Sequence, residues 1–257
     1  MKKGDTLELD ITKYANEGKG IARVDRNIII PAQEAMQQDN NEKNYVVFVQ
    51  GAYPGDKVIA QLRKIKKSYA EAVIVKIISP SKDRVEPCCK FFGTCGGCKQ
   101  QDLDYETQLK FKRELVKETF EHIAGLKDFD FEEIIPSENN FYYRNKMEFS
   151  FADKRWLTKE EIGSEDVFDK AFALGLHIPR IFDKVLDINE CFLQSELSNE
   201  VLNFTRKFFK EKNASIYSTK THTGYLRNLV VRQSQNTDDL MVNLVTSSED
   251  DELMKEY

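Results

Sequence analysis

Lys57-Val58-Ile59-Ala60-Gln61-Leu62-Arg63-Lys64-Ile65-Lys66-Lys67-Ser68-Tyr69-Ala70-Glu71-Ala72-Val73-Ile74-Val75-Lys76-Ile77-Ile78 holds two β-like runs, Lys57 to Ile65 and Tyr69 to Ile78, around a short basic turn. Runs so rich in β-branched residues predict strands. Working outward, similar runs stand at Thr6 to Tyr14, Arg26 to Ile30 and Tyr45 to Gln50. Gly18-Lys19-Gly20, Pro31 and Tyr53-Pro54-Gly55-Asp56 punctuate them. Short strands with no helix between them over residues 1–84 predict a small closed β-barrel. Residues 33–43, polar and rich in Asn and Gln, read as a loop inserted into it.

A barrel of this kind is a common oligonucleotide binder. Its basic turn carries Arg63, Lys64, Lys66 and Lys67 beside Tyr69, the combination that tracks a phosphate backbone and stacks a base. The plain alternative is a solvated hairpin tip. The whole chain of 257 residues has a net charge of −5, but residues 1–84 carry an excess of Lys and Arg, and the acidic surplus lies beyond them. Nucleic-acid association depends on such a local basic face more than on the total.

The cysteines are the second informative feature. Cys89, Cys95 and Cys98 stand in Cys89-Lys90-Phe91-Phe92-Gly93-Thr94-Cys95-Gly96-Gly97-Cys98, Cys88 precedes them, and Cys191 is the one cysteine outside this neighbourhood. Thiolates at this density hold a metal or an iron–sulfur cluster. Separation by Gly and Lys is unlike an apolar face of buried thiols. Zinc is the rival ligand, although structural zinc sites usually pair knuckles of two to four intervening residues. With no apolar stretch fit for a signal peptide or a membrane span, the chain is expected in a reducing cytoplasm, where disulfides are rare.

Beyond Pro80-Ser81 a helix is predicted from Asp104 to Ala124, with Leu109, Leu115, Val116, Phe120 and Ile123 near the helical period and Gly125 as its stop. From Tyr143 the chain alternates, Met147, Phe149 and Phe151 opposing Arg144, Lys146 and Glu148, so Arg144 and Lys146 share one side of a strand. They grip phosphate or are simply the polar face of a sheet. Further strands are predicted at Ala171–Ile178, Lys184–Ile188, Tyr225–Arg232 and Leu240–Thr246, a helix near Glu196–Lys210, and a last helix starting at Ser247-Ser248. Arg227 and Arg232 of this sheet complete the candidate nucleic-acid contacts. The fold class is mainly β plus α+β: a barrel over 1–84, then an α+β domain over 85–257 carrying the cysteine loop.

Gly18-Lys19-Gly20-Ile21-Ala22-Arg23, Tyr53-Pro54-Gly55-Asp56-Lys57-Val58, Lys67-Ser68-Tyr69-Ala70-Glu71-Ala72 and Arg84-Val85-Glu86-Pro87 resemble the RNA-binding TRAM barrel. Cys89, Phe92-Gly93, Cys95-Gly96-Gly97-Cys98 and Gln100-Gln101, then Tyr143-Arg144-Asn145-Lys146 and Asp187-Ile188-Asn189-Glu190-Cys191, resemble motifs of the bacterial RNA uracil-5-methyltransferases, nearest the 23S ribosomal RNA branch. The resemblance implies a four-iron four-sulfur (4Fe-4S) cluster on Cys89, Cys95, Cys98 and Cys191, RNA, specifically 23S rRNA, as partner, and S-adenosylmethionine as cofactor of the full-length enzyme. No Gly-rich cofactor loop follows a strand, and no cysteine follows Cys191 as nucleophile. The expectation is an RNA-recognition and cluster-bearing portion without its catalytic domain. The alternative is a self-standing RNA-binding module with a structural iron–sulfur or zinc site. A radical enzyme would space its cysteines more tightly.

Overall fold

A computed structural model describes residues 1–29, 44–179, 181, 183–237 and 239–257, so the loop reading of residues 33–43 lies outside it. The chain packs as two compact units, residues 1–87 with 99–136 and residues 88–98 with 137–257.

The first unit is built on β1 (Thr6–Asp10), β2 (Lys13–Ala15), β3 (Lys19–Asp25), β4 (Asn44–Gln50), β5 (Lys57–Ile65) and β6 (Tyr69–Ser79), in the sheet order β1-β5-β6-β4-β3-β2. β1 and β2 are neighbours in the chain yet lie at opposite edges, which a sheet achieves only by curling round on itself. The Ile11 amide donates to Asp56 O and its carbonyl accepts from Gly55 N, both at 2.9 Å, where the chain passes from one edge to the other. In β5, Val58, Ala60 and Leu62 alternate into the core with Leu9, Ile11, Val47, Val49 and Ala70.

Three local readings differ from the structure. Residues 6–14 form two strands broken between Asp10 and Lys13. Residues 26–29 form a helical turn, α1 (Arg26–Ile29), started by Asp25 Oδ1 accepting from Asn27 N at 2.9 Å. The strand instead precedes it as β3, and Gly20 lies within it rather than in a turn. A Cβ on Gly20 would stand 2.5 Å from Ile11 Cγ2 and 2.7 Å from Ala52 O, so the glycine serves close packing.

Helix α2 (Tyr105–His122) belongs to this unit, its first turn capped by Asp104 Oδ2 accepting from Thr107 N at 3.0 Å. It buries Leu109 and Phe111, the latter stacked on Tyr14 at 5.0 Å, whereas Val116, Phe120 and Ile123 are exposed. The apolar period therefore overstated the packed face: the buried side chains are Leu109 and Phe111 of the first turns, and farther along Glu118 meets Lys13 of β2 through an ion pair at 2.6 Å. Gly125 ends the helix at φ +68°.

A buried polar knot closes the chain on both sides of residues 88–98. Arg84 pairs with Asp56 (2.7 Å) and Asp102, donates to Gly51 O (2.8 Å), and lies 4.5 Å over the Tyr53 ring. Val85 N donates to Asp102 O at 3.0 Å and Asp104 N to Asp83 O at 2.9 Å.

The second unit holds β7 (Lys146–Ala152), β8 (Arg155–Trp156), β9 (Ala173–His177), β10 (Val185–Asp187), β11 (Leu226–Gln233) and β12 (Leu240–Thr246), ordered β12-β11-β7-β9-β10-β8. All pairings are antiparallel except β10 with β8. Met147, Phe149 and Phe151 point inward against α4 (Glu196–Glu211), which contributes Leu202 and Phe209. Arg144 lies before β7 rather than on it: the strand begins at Lys146, and Arg144 N donates instead to Leu193 O at 2.8 Å. A short helix α3 (Lys159–Gly163) carries a capping box on Thr158 and Glu161. The last helix, α5 (Asp251–Glu256), starts later than Ser247-Ser248, with Asp250 as its cap, and Tyr257 packs among Phe204, Phe208 and Phe209. The architecture is mainly β with α+β character. Among the described residues no helix is long and apolar enough to cross a membrane.

Candidate metal centre and nucleic-acid face

Residues 88–98 form a tight loop organised by its own backbone. Phe92 N donates to Cys89 O (3.0 Å), Cys95 N to Phe91 O (2.8 Å), and Gly93 turns the chain at φ +82°. The loop packs on the end of β9. A Cβ on Gly96 would be 2.9 Å from His177 O and 3.5 Å from the Pro179 ring, and one on Gly97 would be 3.4 Å from Leu176. Gly97 N in turn donates toward Cys95 Sγ at 3.3 Å, the backbone-to-sulfur contact that tunes ligating thiolates.

Cys191 follows β10 and is buried. Asn199, in the first turns of α4, holds both of its backbone groups, accepting from Cys191 N at 2.9 Å and donating to Cys191 O at 3.2 Å. The sequence offered no signal for Asn199, because an Asn near a helix start reads as an ordinary capping residue. Cys88 is exposed, whereas Cys89, Cys95 and Cys98 are half-buried.

Three of the thiols are perturbed by their surroundings. Burial pushes the Cys89, Cys95 and Cys98 thiols above their ordinary range, and the thiolate charge of Cys191 raises each further. Cys98 reaches about 11 even though Arg144 pulls it down. Cys95 and Cys98 pack against the same apolar cluster that buries Cys191, and Cys89 belongs to the loop that carries them. Thiols held neutral chiefly by burial would lose their protons on binding a cationic metal or cluster. Among the described residues no group of three or more His, Cys, Asp or Glu side chains is arranged to hold a metal ion.

The candidate RNA contacts fall into separate places. At the barrel turn Arg63, Lys66 and Lys67 are exposed, while Lys64 is paired with Glu71 at 3.3 Å. The turn is held from behind by Tyr45 Oη on Lys66 O (2.5 Å) and Arg26 Nη2 on Lys67 O (3.2 Å). Tyr69 meets Phe48 edge-on at 5.7 Å. In the second unit Lys146 and Arg232 are cross-strand partners beside an open cavity of about 400 Å³ that also includes Gln233 and Asp239. Arg144 belongs to the surroundings of Cys98, and Arg227 lies elsewhere, 4.6 Å over the Tyr217 ring.

Residues 1–75 match the TRAM domain. Along 256 residues, 99% of its length, the chain is 41% identical to an uncharacterised RNA methyltransferase of Chlorobaculum tepidum, covering 50% of that protein. It is 37% identical over 241 residues to an uncharacterised RNA methyltransferase of Bacteroides thetaiotaomicron, covering 94% of this chain and 49% of the relative. Among solved structures, the Pyrococcus abyssi tRNA (uracil-54, C5)-methyltransferase in complex with S-adenosyl-L-homocysteine matches with a TM-score of 0.56 and 26% identity, over 85% of this chain and 47% of that one. The chain spans about half the length of the relatives it matches. These similarities support the RNA methyltransferase family.

Proposed function

We propose that this chain is the RNA-recognition and cluster-bearing portion of an S-adenosylmethionine-dependent RNA (uracil-C5)-methyltransferase of the cytoplasm, with 23S rRNA as substrate. What supports the proposal is a cysteine loop whose Cys95 and Cys98 pack against the apolar cluster that buries Cys191, with Cys89 in the same loop, in a chain that opens with a TRAM domain. The thiol set fits a 4Fe-4S cluster: four sulfur donors from two segments, partly desolvated, with a backbone amide turned toward one of them. When bound, such a cluster ties residues 88–98 to the chain end of β10 and converts ligand-binding energy into folding energy.

The barrel of residues 1–84 supplies the phosphate-tracking face. Arg63, Lys66 and Lys67 draw the backbone in, and Tyr69 offers a ring for stacking. In the α+β domain of residues 85–257, Lys146 and Arg232 form a second basic pair, with Arg144 and Arg227 as further contacts. The methyl donor, S-adenosylmethionine, is bound by the longer protein and supplies the transferred methyl group there. This chain captures RNA and presents it.

The test is direct binding of the chain to transcripts of 23S rRNA segments and of tRNA, across a salt series. Tighter binding to a 23S segment, weakening steeply with salt, is expected. A preference for tRNA would overturn the substrate assignment, and salt-independent or absent binding to both would overturn the RNA role.

A further inference from the structure

We infer that a cavity on the outer face of the second unit's sheet, walled by Tyr217 and Arg227, takes one unpaired nucleotide of the RNA. The inference rests on the RNA reading above and adds to it a site for a single base. The cavity measures about 230 Å³ and is bounded by β7, β9, β11 and the loop that leads into β11. That volume suits one base with its sugar and is too small for a duplex.

Its floor is polar by construction. Ser150 of β7 and Asn228 of β11 are cross-strand partners, and both project from the face opposite Phe149 and Leu229, which are buried in the core. Asn228 Nδ2 donates to Ser150 Oγ at 3.1 Å, and His177 Nε2 lies 3.0 Å from the same oxygen. An amide, a hydroxyl and an imidazole held together in this way offer both donors and acceptors to the edge of a base.

The wall is aromatic and cationic. Tyr217 is half-buried and carries the Arg227 guanidinium 4.6 Å above its ring, the pairing on which unstacked bases are received. The loop that presents Tyr217 is fixed by its backbone: Ser218 N donates to Thr223 O (2.8 Å) and Tyr217 N to Leu226 O (2.9 Å). Gly224, at φ +105°, passes so close to Ile216 that a Cβ would lie 2.1 Å from its carbonyl oxygen. A platform built this rigidly loses little entropy when a base arrives.

Charge orients the nucleotide. Lys154 in the lining is already paired with Asp183 at 3.9 Å, whereas Lys220 and Arg227 form no ion pair among the described residues. The phosphate therefore sits at the Lys220 and Arg227 end, with the base over Tyr217 and its edge toward Ser150, Asn228 and His177.

The experiment measures binding of a short fluorescein-labelled oligouridine, and of an abasic ribose-phosphate oligomer of the same length, by anisotropy. Tyr217→Ala is expected to weaken oligouridine binding about tenfold and to leave the abasic probe unchanged, with Tyr217→Phe close to the parent. Equal oligouridine affinity for Tyr217→Ala and the parent overturns the site. Should Tyr217→Ala melt early, Lys220→Ala decides, since that side chain is exposed. A salt slope for oligouridine shallower by about 0.7 is expected, and an unchanged slope overturns the site. A parent chain that binds neither these probes nor any folded transcript refutes the RNA reading itself. One that binds folded RNA but ignores both substitutions refutes only the cavity.

Discussion

Replacing Arg84 by Met should destabilise the first unit more than any exposed charge in it. The guanidinium is nearly enclosed, and the Asp56 carboxylate that it pairs with is fully buried. Asp56 also accepts from Tyr53 N at 2.7 Å and Ser81 N at 2.8 Å, so it is held in place and cannot turn to water when its partner is removed. Breaking a buried pair in this way costs about 3–5 kcal/mol. At roughly 3 °C per kcal/mol for a unit of this size, its melting transition should fall by about 10–15 °C. Tyr53 adds a second loss, since its ring packs under the guanidinium and its hydroxyl donates to Asp102 Oδ1 at 2.6 Å. Burial and the Asp102 carboxylate both push the Tyr53 hydroxyl above its ordinary range, so it stays a neutral donor. Scanning calorimetry of the anaerobically prepared parent and variant chains measures the change. The double variant Arg84→Met/Asp56→Asn should recover part of it, because Asn removes the stranded charge while its one carbonyl oxygen still accepts from one of the two amides, which reach different oxygens of Asp56. A fall of about 3 °C or less for Arg84→Met, as expected of a solvated ion pair, would refute the reasoning.

Two further outcomes follow from named contacts. Lys67→Ala should flatten the salt dependence of RNA binding by about 0.7 in slope, whereas Lys64→Ala should change it less, because Lys64 is already engaged by Glu71; filter binding across a salt series compares them. Gly96→Ala places a Cβ 2.9 Å from His177 O and should lift the cysteine loop off β9, lowering iron content measured by colorimetric assay while the first unit's melting transition holds.

The parts of the fold legible in the sequence were those where one local signal dominated. β5 and β12 occupy the residues their β-branched runs marked, and α4 starts where Ser195 stops the preceding chain, its side chain accepting from Ser198 N. β3 was hidden because Gly20 reads as a turn residue when its reason is the approach of Ile11 and Ala52, a long-range contact. Residues 26–29 carry a β-like composition but turn helically behind the Asp25 cap, an instance of local side-chain bonding overriding propensity. The assignment of Cys191 to the set of Cys89, Cys95 and Cys98 rests on the scarcity of other thiols, and the metal content tests it. Asn199 and the Tyr217 loop could not, since each acts through partners brought near only by the fold.

The most direct test of the central claim is the iron, acid-labile sulfide and zinc content of the anaerobically purified chain. The account predicts about four irons and about four sulfides per chain with the broad visible absorption of such clusters. One zinc per chain with no sulfide would contradict it.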